Sequence, residues 1–180
     1  MSKIYDKLKG GDLRSIGKAE EVVTDILNDK NLFIEVFNGM LSDDALIRMR
    51  SADAIEKVSR LYPEYLQPFK QRLIDEISQV RQQEVRWHIA QMFSRLEFQK
   101  EEISQVVSLL IEWIDNSQSK IVKVNSLQAL TDIAKKHNEI IFLAISKIEE
   151  VIDNGSPAMI SRGKKLLKEL TISGDSRGAV

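Results

Sequence analysis

Four twelve-residue stretches of this chain can be laid over one another without a gap: residues 47–58 (IRMRSADAIEKV), 85–96 (VRWHIAQMFSRL), 122–133 (VKVNSLQALTDI) and 159–170 (MISRGKKLLKEL). They start at Ile47, Val85, Val122 and Met159, so the spacings are 38, 37 and 37 residues. A near-constant period of that length marks an array of stacked units, each too small to bury its own apolar face alone. No other property of the sequence narrows the fold as far, because the period sets both the type of element and its order.

Within the template, apolar residues recur on one helical face. Offset zero holds Ile47, Val85, Val122 and Met159, offset eight Ile55, Phe93, Leu130 and Leu167, and offset eleven Val58, Leu96, Ile133 and Leu170. Small residues gather at offsets four and five (Ser51, Ser126, Gly163; Ala52, Ala90), where paired helices approach most closely. Lys164 at offset five departs from this, as expected of an end unit with nothing stacked beyond it. A second helical pattern precedes each template, with Val36, Ile74, Ile111 and Ile148 eleven residues before the start and Gly39, Ile77, Ile114 and Val151 eight before it. Gly39, alone among these in lacking a side chain, allows close approach or a bend.

The turn residues agree with these pairs. Pro63, Pro68 and Pro157 all fall at helix boundaries, with Ser156 as a cap before Pro157. The units therefore run over 31–62, 66–99, 103–137 and 139–170. Residues 1–30 form an N-terminal cap: a short turn with Ile4, Tyr5 and Leu8 stops at Gly10-Gly11, and Asp12 then starts a helix over 13–27. The remainder, 171–180, is expected to be a flexible tail. No alternation of period two occurs at any length, so no strand is assigned and the fold class is all-α.

The 180 residues suit one domain or one short array rather than two independent domains. Lys and Arg number 26 against 27 Asp and Glu, which leaves no whole-molecule basic footprint for nucleic acid. The absence of cysteine excludes disulfides, thiolate metal sites and a cysteine nucleophile. MSKIYDKLKGG has no apolar leader-like run, and charges interrupt every apolar stretch short of the roughly 18 residues of a membrane span. The expectation is a cytoplasmic chain without membrane contact.

The template resembles the HEAT-repeat family of armadillo-like α-solenoids, whose second helix carries a Val-Arg-x-x-Ala-Ala-x-Ala-Leu core. The corresponding residues are Ile47-Arg48 with Ala52, Ala54 and Ile55; Val85-Arg86 with Ala90 and Phe93; and Val122-Lys123 with Ala129 and Leu130. The resemblance spans about residues 31–170. It implies a short right-handed solenoid of antiparallel helix pairs, about four repeats plus an N-terminal capping helix, with the second helices lining a concave side. The family often has an aspartate five residues before the valine. This chain has Ser42, Val80, Ser117 and Asn154 there, so an Asp-Arg ladder is not expected, and Asp43 or Asp44 remains as a local partner for Arg48.

On that geometry, offsets two, six and nine turn outward at 100° per residue. Offset two places Met49, Trp87 and Val124 there, three apolar residues where a solvated face would be polar. They either contact the neighbouring second helix or receive a partner helix or peptide, with Trp87 as anchor. Offset three adds Arg50, His88 and Asn125, offset six Gln91 and Gln128, and offset ten Arg95, with Arg50, His88 and Arg95 as a modest basic rim. Arg48, Arg86 and Lys123 lie at the core margin and read as structural, while Trp113, Phe33 and Phe37 read as packing. His88 and His137 sit on different units, and no HExxH, Gly-rich phosphate loop or GxSxG occurs, so no catalytic, cofactor or metal residue is assigned.

These observations point to a non-enzymatic scaffold or adaptor that binds a protein or peptide on the second helices. Some HEAT-like proteins resemble DNA-repair glycosylases. That alternative would cast Trp87, Asp132, Arg50, Arg95 and Arg162 as a nucleic-acid site, against which stands the near-zero net charge. A lyase or hydroxylase accessory role is a third option, without the iron-binding His-Glu pairs of the hydroxylase type.

Overall fold

In a computed structural model of the chain, residues 3–12 and 14–175 are described, with side chains through Thr171. Every regular element among them is helical and no strand occurs. The chain divides into two compact units, one ending at Phe98 and the other starting at Gln99, a boundary between the second and third expected repeats.

The first unit contains α1 (Lys3–Leu8), α2 (Ala19–Asn28), α3 (Leu32–Gly39), α4 (Ala45–Leu61), α5 (Pro63–Leu66), α6 (Lys70–Asp75) and α7 (Gln83–Phe93). Asp44 starts α4 by accepting the backbone N–H groups of Leu46 and Ile47, satisfying donors that the first turn leaves unpaired. α4 is the hub, packing against α1, α2, α3 and α7. At the α3–α4 crossing a Cβ on Gly39 would fall on Ser51 Oγ, so the missing side chain is what lets the helices approach. α3 is then held by a ring cluster in which Phe69 lies 5.6 Å from Phe33 and 5.1 Å from Phe37, centroid to centroid.

The first helix expected in the second repeat, with Pro68 at its start, is cut short: α6 ends at Asp75, and Ile77 lies in a separate 3-10 turn over Ile77–Gln79. Pro63 opens α5, Pro68 lies in a 3-10 turn over Gln67–Phe69, and α6 follows, because a proline without an N–H cannot continue the ladder. The N-terminal cap also differs. Its helix starts at Ala19 rather than near residue 13, and the loop before it turns through Gly10, Gly11 and Gly17, all at positive φ. Asp12 does not begin a helix: its side chain accepts the Arg14 N–H. Leu13 lies outside the described residues.

The second unit contains α8 (Lys100–Asn116), α9 (Lys120–Lys136), α10 (Ile141–Asn154) and α11 (Pro157–Asp175). A capping box at Gln99 and Glu102 starts α8, and the Ser119 hydroxyl accepts from Val122 N at the start of α9. α8 packs on α9, α10 on α11, and α9 on both α10 and α11. Gly163 repeats the role of Gly39 here, since a Cβ would stand 2.9 Å from Ile152 Cγ1. α11 continues to Asp175, so the expected tail is helical over 171–175, and residues 176–180 lie outside the described residues. Ser156 does not cap α11: its hydroxyl is buried and finds no hydrogen-bond partner.

Offsets zero and eleven are buried in all four templates. Offset eight follows in Ile55, Phe93 and Leu130, whereas in the last template Leu166 takes the buried place of Leu167. Lys164 is exposed.

Candidate functional site

The template helices α4, α7, α9 and α11 place the outward residues, and the residues at offset one show how. Arg48 donates to the Ser42 and Asp43 carbonyls at 2.7 and 3.0 Å, Arg86 to Val80 O at 3.0 Å, and Lys123 to Asp115 O at 2.9 Å. Each satisfies orphan acceptors at or just beyond the end of the preceding helix. The carbonyls thus do what a turn aspartate would do: Asp43 serves Arg48 through its backbone, and the Asp44 carboxylate is committed to its cap.

In the first unit Met49 is 7% exposed and Arg50 1%, so neither forms part of an outward surface. The Arg50 guanidinium donates to the carbonyls of Leu8, Lys9, Gly10, Asp12 and Ser15 at 2.7–3.3 Å. Gly17 lies against it, and a Cβ there would stand 2.8 Å from Arg50 Cζ. The arginine is the internal tie of the N-terminal loop and not a rim residue. Nothing in its own sequence neighbourhood signals this, because the carbonyls come from a segment about 40 residues earlier.

Trp87 and His88 are partly exposed, with ring centroids 5.7 Å apart. His88 Nε2 lies 3.9 Å from Asp53 Oδ1 across the α4–α7 seam, while Nδ1 is buried without a hydrogen-bond partner. Burial pushes the His88 pKa below its ordinary value, and Asp53 and Glu56 only partly offset it, so the ring is neutral rather than basic at pH 7. Arg95 lies beyond the end of α7 and is spent on Glu56, whose carboxylate is buried and also bound by Arg60 at 2.6 Å. Burial alone would raise the Glu56 pKa. The hydrogen bonds and charges of Arg60 and Arg95 outweigh it and hold the carboxyl below the usual range. The expected basic rim of Arg50, His88 and Arg95 is therefore one buried tie, one neutral ring and one paired cation. Gln91 stays partly exposed beside this seam.

In the second unit Val124, Asn125 and Gln128 are partly exposed on α9. Asn125 donates to Ile121 O at 2.9 Å, and Gln128 donates to Asp132 at 2.9 Å while accepting from Arg162 on α11. Offset six of one template thus meets offset three of the next in both units, as Asp53 with His88 and as Gln128 with Arg162. Trp113 is 1% exposed, and Phe33 and Phe37 are buried, in keeping with packing roles.

Among the described residues, no group of three or more His, Asp or Glu side chains is placed to hold a metal ion, and no helix is long and apolar enough to cross a membrane. A scan of protein-family models and searches of curated proteins and of solved structures each find no match to this chain.

Proposed function

We propose that the chain is a HEAT-like repeat scaffold that binds a partner peptide or helix through the outward positions of its template helices. Trp87, His88 and Gln91 serve in the first unit, and Val124, Asn125 and Gln128 in the second. The observation that carries it is the partial exposure of Trp87 and Val124 at the same template offset, in a chain whose other tryptophan is buried. A large ring with few rotamers, left partly open beside polar side chains, is the type of residue that anchors a partner at modest entropic cost. The recurrence of the offset-one ties and of the six-to-three pairing supports a repeat architecture. Met49, Arg50 and Arg95 drop out of the contact set because each is buried or already paired.

The nucleic-acid alternative has weaker support. Of its cations, Arg50 is enclosed by carbonyls, Arg95 neutralises Glu56 and Arg162 is hydrogen-bonded to Gln128. Phosphate binding would first have to break these contacts.

Affinity capture from cells that express the protein, with wild type beside Trp87→Ala and Val124→Ala, tests the proposal. A partner held at high salt by wild type and lost by at least about tenfold in Trp87→Ala is the expected result. Retention unchanged in both variants removes these strips from consideration, and salt-sensitive retention of duplex DNA instead favours the alternative.

A further inference from the structure

The most exposed large apolar side chain of the described residues lies on neither template strip. It is Phe142, 84% exposed in the first turn of α10, with Leu143 beside it at 46%. α10 is amphipathic in the ordinary way on its inner side, where Ala144, Ile148 and Val151 are buried. Its outer line should then be polar, as on α8, where the residue one period earlier is the exposed Gln105. On α10 that line reads Phe142, Ser146, Glu149, Glu150, Asp153, all exposed, with Glu139 one turn before it. The apolar pair therefore heads a stripe of carboxylates. The helix offers no outward cation, since its single lysine, Lys147, is 9% exposed and turned to Asp115 and Glu150 at 2.7–3.1 Å.

We propose that the outer face of α10 docks a basic amphipathic helix of another protein, whose apolar face covers Phe142 and Leu143 and whose lysines or arginines meet Glu149 and Asp153. The charge pattern selects this occupant. A lipid surface would accept the aromatic ring but repel the carboxylates behind it where the headgroups are anionic. A second copy docked through the same face would bring carboxylates against carboxylates in a two-fold arrangement, or Phe142 against Asp153 in a shifted one. A cationic helix matches both halves of the stripe, the apolar contact supplying affinity and the charges orientation. The surface is independent of the Trp87 and Val124 strips.

The test uses the full chain and two synthetic amphipathic helices, one with leucine opposite lysine and the other with leucine opposite glutamate, followed by fluorescence anisotropy. The lysine peptide should bind and the glutamate peptide should not. Phe142→Ser should weaken binding by at least about tenfold, and Glu149→Lys with Asp153→Lys should reverse the preference between peptides. Both sets of side chains are exposed, so circular dichroism should show unchanged helicity, and Trp87→Ala should leave this binding intact. Absence of lysine-peptide binding, or binding indifferent to Phe142→Ser, overturns the proposal. So does a Phe142-dependent dimer in sedimentation, which assigns the face to a second copy, or Phe142-dependent binding to anionic or zwitterionic vesicles, which assigns it to lipid.

Discussion

Arg50 and Arg162 stand at the same place in the twelve-residue sequence template, three residues past its start, and end in opposite circumstances. Arg50 is enclosed, its guanidinium taken up by carbonyls of the loop before α2. Arg162 remains partly exposed and reaches Gln128 across the α9–α11 seam, with its Nε buried and unpartnered. Both side chains pass over the helix that directly precedes their own and reach a segment further back, the loop before α2 for Arg50 and α9 for Arg162. What stands there decides the rest: a helix presenting an amide for Arg162, and for Arg50 a glycine-containing loop that presents carbonyls. The two arginines share a template position, and their different neighbours set burial and energy.

The largest effect should therefore come from Arg50. Arg50→Ala withdraws this donor from five carbonyls, of which Asp12 O keeps the Ser15 N–H, and opens a cavity, a cost of about 3–5 kcal/mol. Urea unfolding should show the loss, and amide exchange over α1 and α2 should accelerate most. Arg50→Met refills much of the volume without the donors, so a loss of similar size separates hydrogen bonding from packing. A cost below about 1 kcal/mol for Arg50→Ala would mean that the loop is held by something other than this arginine.

The same contrast explains what was legible in the sequence. Val85, Phe93 and Leu96 have large apolar counterparts in the other templates and Ala90 has Ala52, and all four are buried. The early end of α6 at Asp75 and the entry loop were not legible, because neither repeats: no proline or glycine marks the break before Ile77, and the loop around Gly10 depends on the Arg50 side chain far away in sequence. Candidate-site residues divided along the same line. Trp87, Gln91, Val124, Asn125 and Gln128 are partly exposed, whereas Met49, at the same offset as Trp87 and Val124, is buried, so helical phase alone does not set exposure. Arg50 and Arg95 did not serve as rim because their partners, the loop carbonyls and Glu56, carry no local sequence mark.

The α4–α7 seam sharpens the comparison through pH, since it encloses ionisable groups. His88 has a folded pKa below its ordinary 6.5, so its contribution is fully present above 6.5 and is lost as pH falls below that value. Glu56, held below 4.5 by its two arginines, loses its contribution only as pH falls below 4.5 towards its folded value. Acid should accordingly weaken the seam in two successive stages. Protection factors in α4 and α7, taken relative to the intrinsic exchange rate at each pH, should fall as pH drops below 6.5, and His88→Gln, which cannot be protonated there, should flatten that dependence. Glu56→Gln should cost about 1–3 kcal/mol at pH 7, because it weakens charge-assisted bonds to Arg60 and Arg95, and should remove the lower stage. An unchanged slope in His88→Gln would locate the upper stage elsewhere.

Arg162 completes the series with the smallest effect. Its hydrogen bond to Gln128 pairs a charge with a neutral amide at a partly exposed site, where water competes, and its buried Nε is a standing penalty that the wild-type protein already bears. Arg162→Met deletes both the bond and the unpartnered donor while keeping the apolar stem. The two changes oppose each other, so the net shift should stay within about 1 kcal/mol of wild type, in either direction. Urea unfolding of Arg162→Met beside Arg50→Met puts the matter to one measurement. If both substitutions cost several kcal/mol, position in the template governs energy, and the contrast drawn between the two arginines fails. If only Arg50→Met does, the difference belongs to the carbonyl loop, and any chain with the same template but a different entry segment should lose it.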